Sequence, residues 1–159
     1  MESGQSSEFP IVLRYRDIPV TDPVAERNRK TLLGGLDKLL GGDVEGFWAI
    51  YDPDVVFHEA SCLPYGGAHK GIAAARAAHG RIEQTFGSLH SVFEAVLAAE
   101  DIVILYQTIT FQVRDNGNTG SLPVAELFRS RDGKVIEWRA HYFDACLVAQ
   151  AIKGEGTRQ

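Results

Sequence analysis

Two cysteines and one methionine are all the sulfur that the 159 residues carry. Cys62 and Cys146 stand far apart, with neither a disulfide spacing nor the paired spacing of a zinc site, so both are expected to be small inert residues in a reducing cytoplasm. The 16 Lys and Arg form no cluster against 21 Asp and Glu, and the net charge is −5. Nucleic acids and anionic membranes demand a basic footprint, so neither is an expected partner. No apolar run approaches the ~20 residues of a membrane-spanning helix, and no secretory signal is visible. The composition leaves a small molecule that is not strongly anionic as the expected ligand.

Several familiar motifs are also missing. "HEASC" has the first half of a zinc-protease signature, but Cys62 stands where the second His belongs, and the segment reads as strand and loop. "GGAHKG" has the glycines of a phosphate loop without its closing Lys-Ser/Thr, and "GGDVEG" has no strand before it. Ser61 and Ser91 lack the Gly-x-Ser-x-Gly elbow of an activated nucleophile. No metal, nucleotide or other cofactor is therefore expected.

What is present reads as one domain. Residues 1–20 show no sustained period and read as an arm or tail, 21–153 as the folded domain, and 154–159 as a second tail. Asp22 as N-cap with Pro23 behind it opens a helix whose Leu32, Leu33, Leu36, Leu39 and Leu40 share a face, and Gly41-Gly42 ends it. Asp43 caps a second helix, "VEGFWAIY", stopped by Pro53. "DVVFHEA" reads as a strand, "LPYGGAHKG" as a loop, and the Ala-rich "IAAARAAHGRIEQTF" as a third helix. Four strand-like runs with tight turns "ED", "RDNGN" and "RDG" predict an antiparallel sheet, and Asp144 caps a last short helix. The expected class is α+β: a curved antiparallel sheet covered by three helices around an apolar pocket.

Strand alternation decides which polar groups can meet there. In "SLPVAELFRS" the face Leu122, Val124, Glu126 and Phe128 sets one carboxylate in an apolar stripe. In "IVILYQTITFQV" the set Ile104, Tyr106, Thr108 and Thr110 is expected to face inward, and in "KVIEWRAHYF" the set Trp138, Ala140 and Tyr142. Counted from the hairpin, His141 points away.

The segments "GDVEGFWAIYDPDVVFHE", "LPYGGAHKG" and "ELFRSRDGKVIEWRAHYFD" carry a resemblance over roughly residues 24–153. The chain resembles the nuclear transport factor 2-like superfamily, in particular its SnoaL-like and ketosteroid-isomerase-like members, and is also similar to limonene-epoxide hydrolase. The resemblance implies a cone of curved sheet enclosing an apolar cavity, and a homodimer or higher homo-oligomer packed through the sheet's outer face. Carried over, the isomerase's general base falls on Glu59 and its oxyanion-side acid on Glu126. The isomerase's helix-borne tyrosine falls near Gly35, and Tyr106 is the substitute donor. The epoxide hydrolase's final Asp falls on His141 when counted back from "YFD", which a bulge in "WRAHYFD" would permit, but on Ala140 when counted from "DGK".

The expected activity is a cofactor-independent acid–base lyase or isomerase step on a small hydrophobic cyclic or aromatic substrate, by proton abstraction or by loss of water or a small aldehyde. Glu59, Glu126, His141 and Tyr106 are the candidate catalytic groups. Trp48, Tyr65, Thr108, Val124, Phe128, Trp138, Tyr142 and His58 are the candidate substrate contacts. Epoxide hydrolysis and non-catalytic binding of a small ligand are the alternatives.

Overall fold

The computed structural model describes residues 11–13 and 18–155. Most of the amino-terminal arm and residues 156–159 of the carboxy-terminal tail lie outside the described residues. Three residues of the arm, Ile11–Leu13, form strand β1.

Asp22 caps helix α1 (Pro23–Leu40) by accepting from the Val24 N–H at 2.9 Å, with Pro23 in the first turn where no N–H is needed. The helix turns Ala25, Leu32 and Gly35 inward, and Leu33, Leu36 and Leu39 pack at the edge of the core, while Leu40 is exposed. Asp43 caps the short α2 (Val44–Trp48). Pro53 does not stop this helix; it lies inside strand β2 (Tyr51–Glu59), which begins earlier than the sequence suggests. Part of the expected loop, Gly67–Lys70, is a strand, β3, pairing antiparallel with β2. Helix α3 (Ile72–Thr85) follows as expected.

Strands β4 (Phe86–Ala99), β5 (Ile102–Val113), β6 (Thr119–Arg131) and β7 (Lys134–Tyr142) form an antiparallel meander. The β6–β7 turn has positive φ at Asp132 (51°) and Gly133 (78°), the left-handed pair that a tight hairpin needs. The described strands form one sheet in the order β1-β4-β5-β6-β7-β2-β3, with β2 parallel to β7 and β1 parallel to β4. Bulges interrupt β4 between Phe86 and Ser88 and between Phe93 and Ala95, and β7 at Ile136, opposite the step from Arg129 to Ser130. An extra residue bends a strand and tightens its twist, so a long sheet curls into an incomplete cone. Helix α4 (Ala145–Lys153), capped by Asp144, packs against β6.

Two apolar clusters fill the concave side. One joins Leu32, Phe47, Trp48, Tyr51, Phe57, Phe128 and Trp138 beneath α1, α2 and α3. The other joins Leu63, Tyr65, Phe86, Ile109, Phe111, Val124 and Val148 beneath α4. The seam between them is not filled, and the cavity lies there.

Candidate active site

A cavity of about 520 Å³ is bounded by Leu36, Leu39 and Leu40 of α1, by Phe47 and Tyr51, by His79, Ile82 and Glu83 of α3, and by the concave face of the sheet. The sheet contributes Glu59, Leu89, Ser91, Phe93, Leu105, Gln107, Ile109, Val124, Glu126, Phe128, Trp138 and Tyr142. No Lys or Arg lines it, so an anionic ligand would meet no counter-charge among these residues.

Register brings the two glutamates together. Glu126 pairs with Ala140 across β6–β7, and His58 pairs with Arg139 across β2–β7, so the next residue, Glu59, stands beside Ala140 on its other side. Strands lie about 4.8 Å apart, so the two backbones are roughly 10 Å apart, and the residue between them carries only a methyl group. Glu59 is buried and accepts a hydrogen bond from the Tyr142 hydroxyl at 2.9 Å. Burial pushes its pKa up to about 8; the Tyr142 bond opposes this and the nearby Glu126 carboxylate adds to it. Glu126 is enclosed by protein except on the cavity side, and burial raises its pKa to about 7. The Trp138 indole lies near this carboxyl and favours its ionised form, yet its N–H completes no hydrogen bond of normal geometry. Tyr65, fully buried, stands behind Tyr142.

Val124, Phe128, Trp138 and Tyr142 line the cavity as the sequence suggests. Trp48 does not; it is buried one layer back, packing on Phe47, His79 and Trp138. Tyr65 likewise supports the wall rather than forming it.

Four candidates lie on other surfaces. Tyr106 and Thr108 occupy the outer sheet face, where Tyr106 is 38% exposed and Thr108 donates to Glu94. The inward set of β5 is Val103, Leu105, Gln107, Ile109 and Phe111, because Leu105 is the partner of Glu126 and Gln107 that of Val124. That set is the more apolar of the two, a signal already present in the sequence and outweighed by the hydroxyls on the other face. His141 pairs with Ala125 and is exposed on the outer face. No bulge falls within Trp138–Tyr142; β7 instead carries its extra residue at Ile136, which sets Trp138 on the same inner face as Val135 and leaves His141 outward. His58 also faces outward, 3.4 Å from Glu137. The position expected for the isomerase tyrosine, Gly35, is crowded: a Cβ there would sit 2.6 Å from Ile50 Cδ1, so the Ile50 side chain would have to move.

Sequence reasoning missed His79, Gln107 and Tyr51. His79 lies in an Ala-rich helix that reads as scaffold, and only the approach of α3 to the sheet turns its ring to the cavity.

The match to known proteins covers most of this site, including Glu59 and Glu126. Residues 36–138 match the family model described as SnoaL-like domain. Comparison with curated proteins finds no match. Among solved structures, a candidate SnoaL-like polyketide cyclase from Jannaschia sp. CCS1 is 25% identical, with a TM-score of 0.71 over 85% of this chain and 97% of that one. Bal32a, from a soil-derived mobile gene cassette, is 27% identical with a TM-score of 0.67 over 76% and 92%. TerC, co-crystallised with polyporic acid, shares the fold at 20% identity, with a TM-score of 0.69 over 80% and 98%. With a family match spanning most of the domain, the chain belongs to the SnoaL-like family, and its cone-shaped α+β fold is shared with these structures and with an NTF2-like protein from Burkholderia pseudomallei.

Proposed function

We propose that the protein is a cofactor-independent acid–base enzyme that removes a proton next to the carbonyl of a neutral, hydrophobic cyclic substrate. The observation that carries this reading is the pair of carboxyls flanking Ala140 at the wall of one apolar cavity. With pKa values of about 7 for Glu126 and about 8 for Glu59, the pair holds close to one proton near neutrality. Glu126, the stronger acid, is the base. Glu59 keeps its proton and donates to the developing enolate oxygen, held in place by Tyr142. The apolar walls keep both interactions strong by keeping bulk water from the reacting carbon.

Exchange of the activated C–H of β-tetralone in deuterium oxide, followed by proton NMR, tests this without knowledge of the natural substrate. The expected result is acceleration over buffer, with a maximum between the two pKa values and a loss on the order of 10²-fold or more in Glu126→Gln. Equal exchange with and without protein, or a fully active Glu126→Gln, would overturn the reading. Epoxide opening fits the lining less well: limonene-epoxide hydrolase, which the chain resembles, uses an Asp-Arg-Asp set, and no Arg lines this cavity.

A further inference from the structure

A buried base that takes a proton from carbon must pass it on. His79 is the group placed to receive it. Of the five histidines, His58 and His141 face the outer side of the sheet, and His69 Nε2 lies 2.9 Å from the Tyr65 carbonyl. His90, opposite the exposed Thr110, belongs to the outer row of β4. His79 alone lines the cavity.

Its surroundings hold the ring without consuming both nitrogens. The imidazole sits against Trp48 (5.8 Å between ring centroids), Trp138 (5.9 Å) and Phe47 (6.5 Å). Nδ1 lies 3.5 Å from Glu83 Oε1, one turn along α3. Exposure is graded along the pair: the His79 side chain is 25% exposed and that of Glu83 57%. The charged groups packed around the ring are few. Glu83 lies on its own helix and Glu126 on the facing sheet, while Arg76 stacks over Trp48 and is paired with Glu45. Burial lowers the imidazole's pKa, with Glu83 opposing, so the ring is mostly neutral at pH 7 and able to accept.

We propose that His79, oriented by Glu83, is the proton relay between the carboxyl pair and bulk water. The proton that Glu126 takes from the substrate carbon crosses the cavity through water to His79 Nε2. The Nδ1 proton leaves to Glu83 and then to solvent, and the reverse path recharges the pair. This inference rests on the acid–base reading above, and the two fail differently.

The test is isomerisation of a β,γ-cyclohexenone to its conjugated isomer in deuterium oxide, with rate and deuterium content of the product read together by NMR. Without a relay, Glu126 returns the original proton to the new carbon, so isomerisation continues while deuterium incorporation falls. His79→Phe keeps a ring in the aromatic box and removes titration; the expected deuterium content of its product drops on the order of tenfold, with a far smaller change in rate. His79→Ala leaves room for free imidazole, which should restore incorporation in a concentration-dependent way. An active wild type with unchanged deuterium content in both variants, or no response to imidazole, would refute the relay alone. A wild type that leaves the enone unchanged would refute the acid–base reading and the relay with it.

Discussion

The carboxyl pair should make the protein lose stability as pH rises, the reverse of the usual effect of paired carboxylates. A carboxyl whose folded-state pKa is raised binds its proton more tightly in the native state than in the unfolded one. Its stabilising contribution is complete below the unfolded value of 4.5 and is lost as pH climbs through about 8 for Glu59 and about 7 for Glu126. Each pKa unit is worth about 1.4 kcal/mol, so the upper limits are roughly 5 kcal/mol for Glu59 and roughly 3 kcal/mol for Glu126. Together these approach the whole stability of a typical domain, about 5–15 kcal/mol. The perturbation is the double change Glu59→Gln and Glu126→Gln, which keeps shape and the acceptor for Tyr142 but cannot ionise. Urea unfolding from about pH 5 to about pH 9 reads the difference. The variant should be close to wild type at the acid end and more stable by several kcal/mol at the alkaline end. A difference independent of pH would mean that the two carboxyls ionise in the native state as they do in water, and the argument from burial would fail.

Tyr142→Phe removes the bond that favours ionised Glu59, so the Glu59 pKa should rise above about 8 in a carbon-NMR titration, at a stability cost of about 1 kcal/mol. Ala140→Leu would fill the gap between the carboxyls; β-tetralone exchange should fall at least ~10-fold while unfolding free energy changes by only about 1–3 kcal/mol. The outer face carries exposed Leu97 and Tyr106 on neighbouring strands, and Phe143, 83% exposed, just beyond β7. If a second copy covers that face, as proposed from the resemblance, Leu97→Asp with Tyr106→Asp should shift the sedimentation coefficient from dimer to monomer; a monomeric wild type would refute it.

Much of the site was legible in sequence because it depends on local rules. Glu126 stands out in an apolar alternation, and Trp138, Ala140 and Tyr142 share one face of β7 by alternation among themselves. Tyr106 and His141 were misplaced for the same reason: alternation provides two faces but not which one is inward. β5 offers hydroxyls on one face and aliphatic side chains with Gln107 on the other, and pairing with Glu126 decides for the second.

By itself, then, the chain's local chemistry determined the caps at Asp22, Asp43 and Asp144, the Asp132–Gly133 hairpin, the α+β order and the family resemblance. Caps and turns are set by a few adjacent residues, so they can be read without neighbours in space. Only the tertiary structure decided that β2 runs parallel to β7 and so brings Glu59 beside Ala140, that the bulge at Ile136 leaves His141 outward, and that α3 lays His79 against Trp138. Each of these depends on non-local pairing and packing, and one residue of strand register moves a side chain from the cavity to the opposite face.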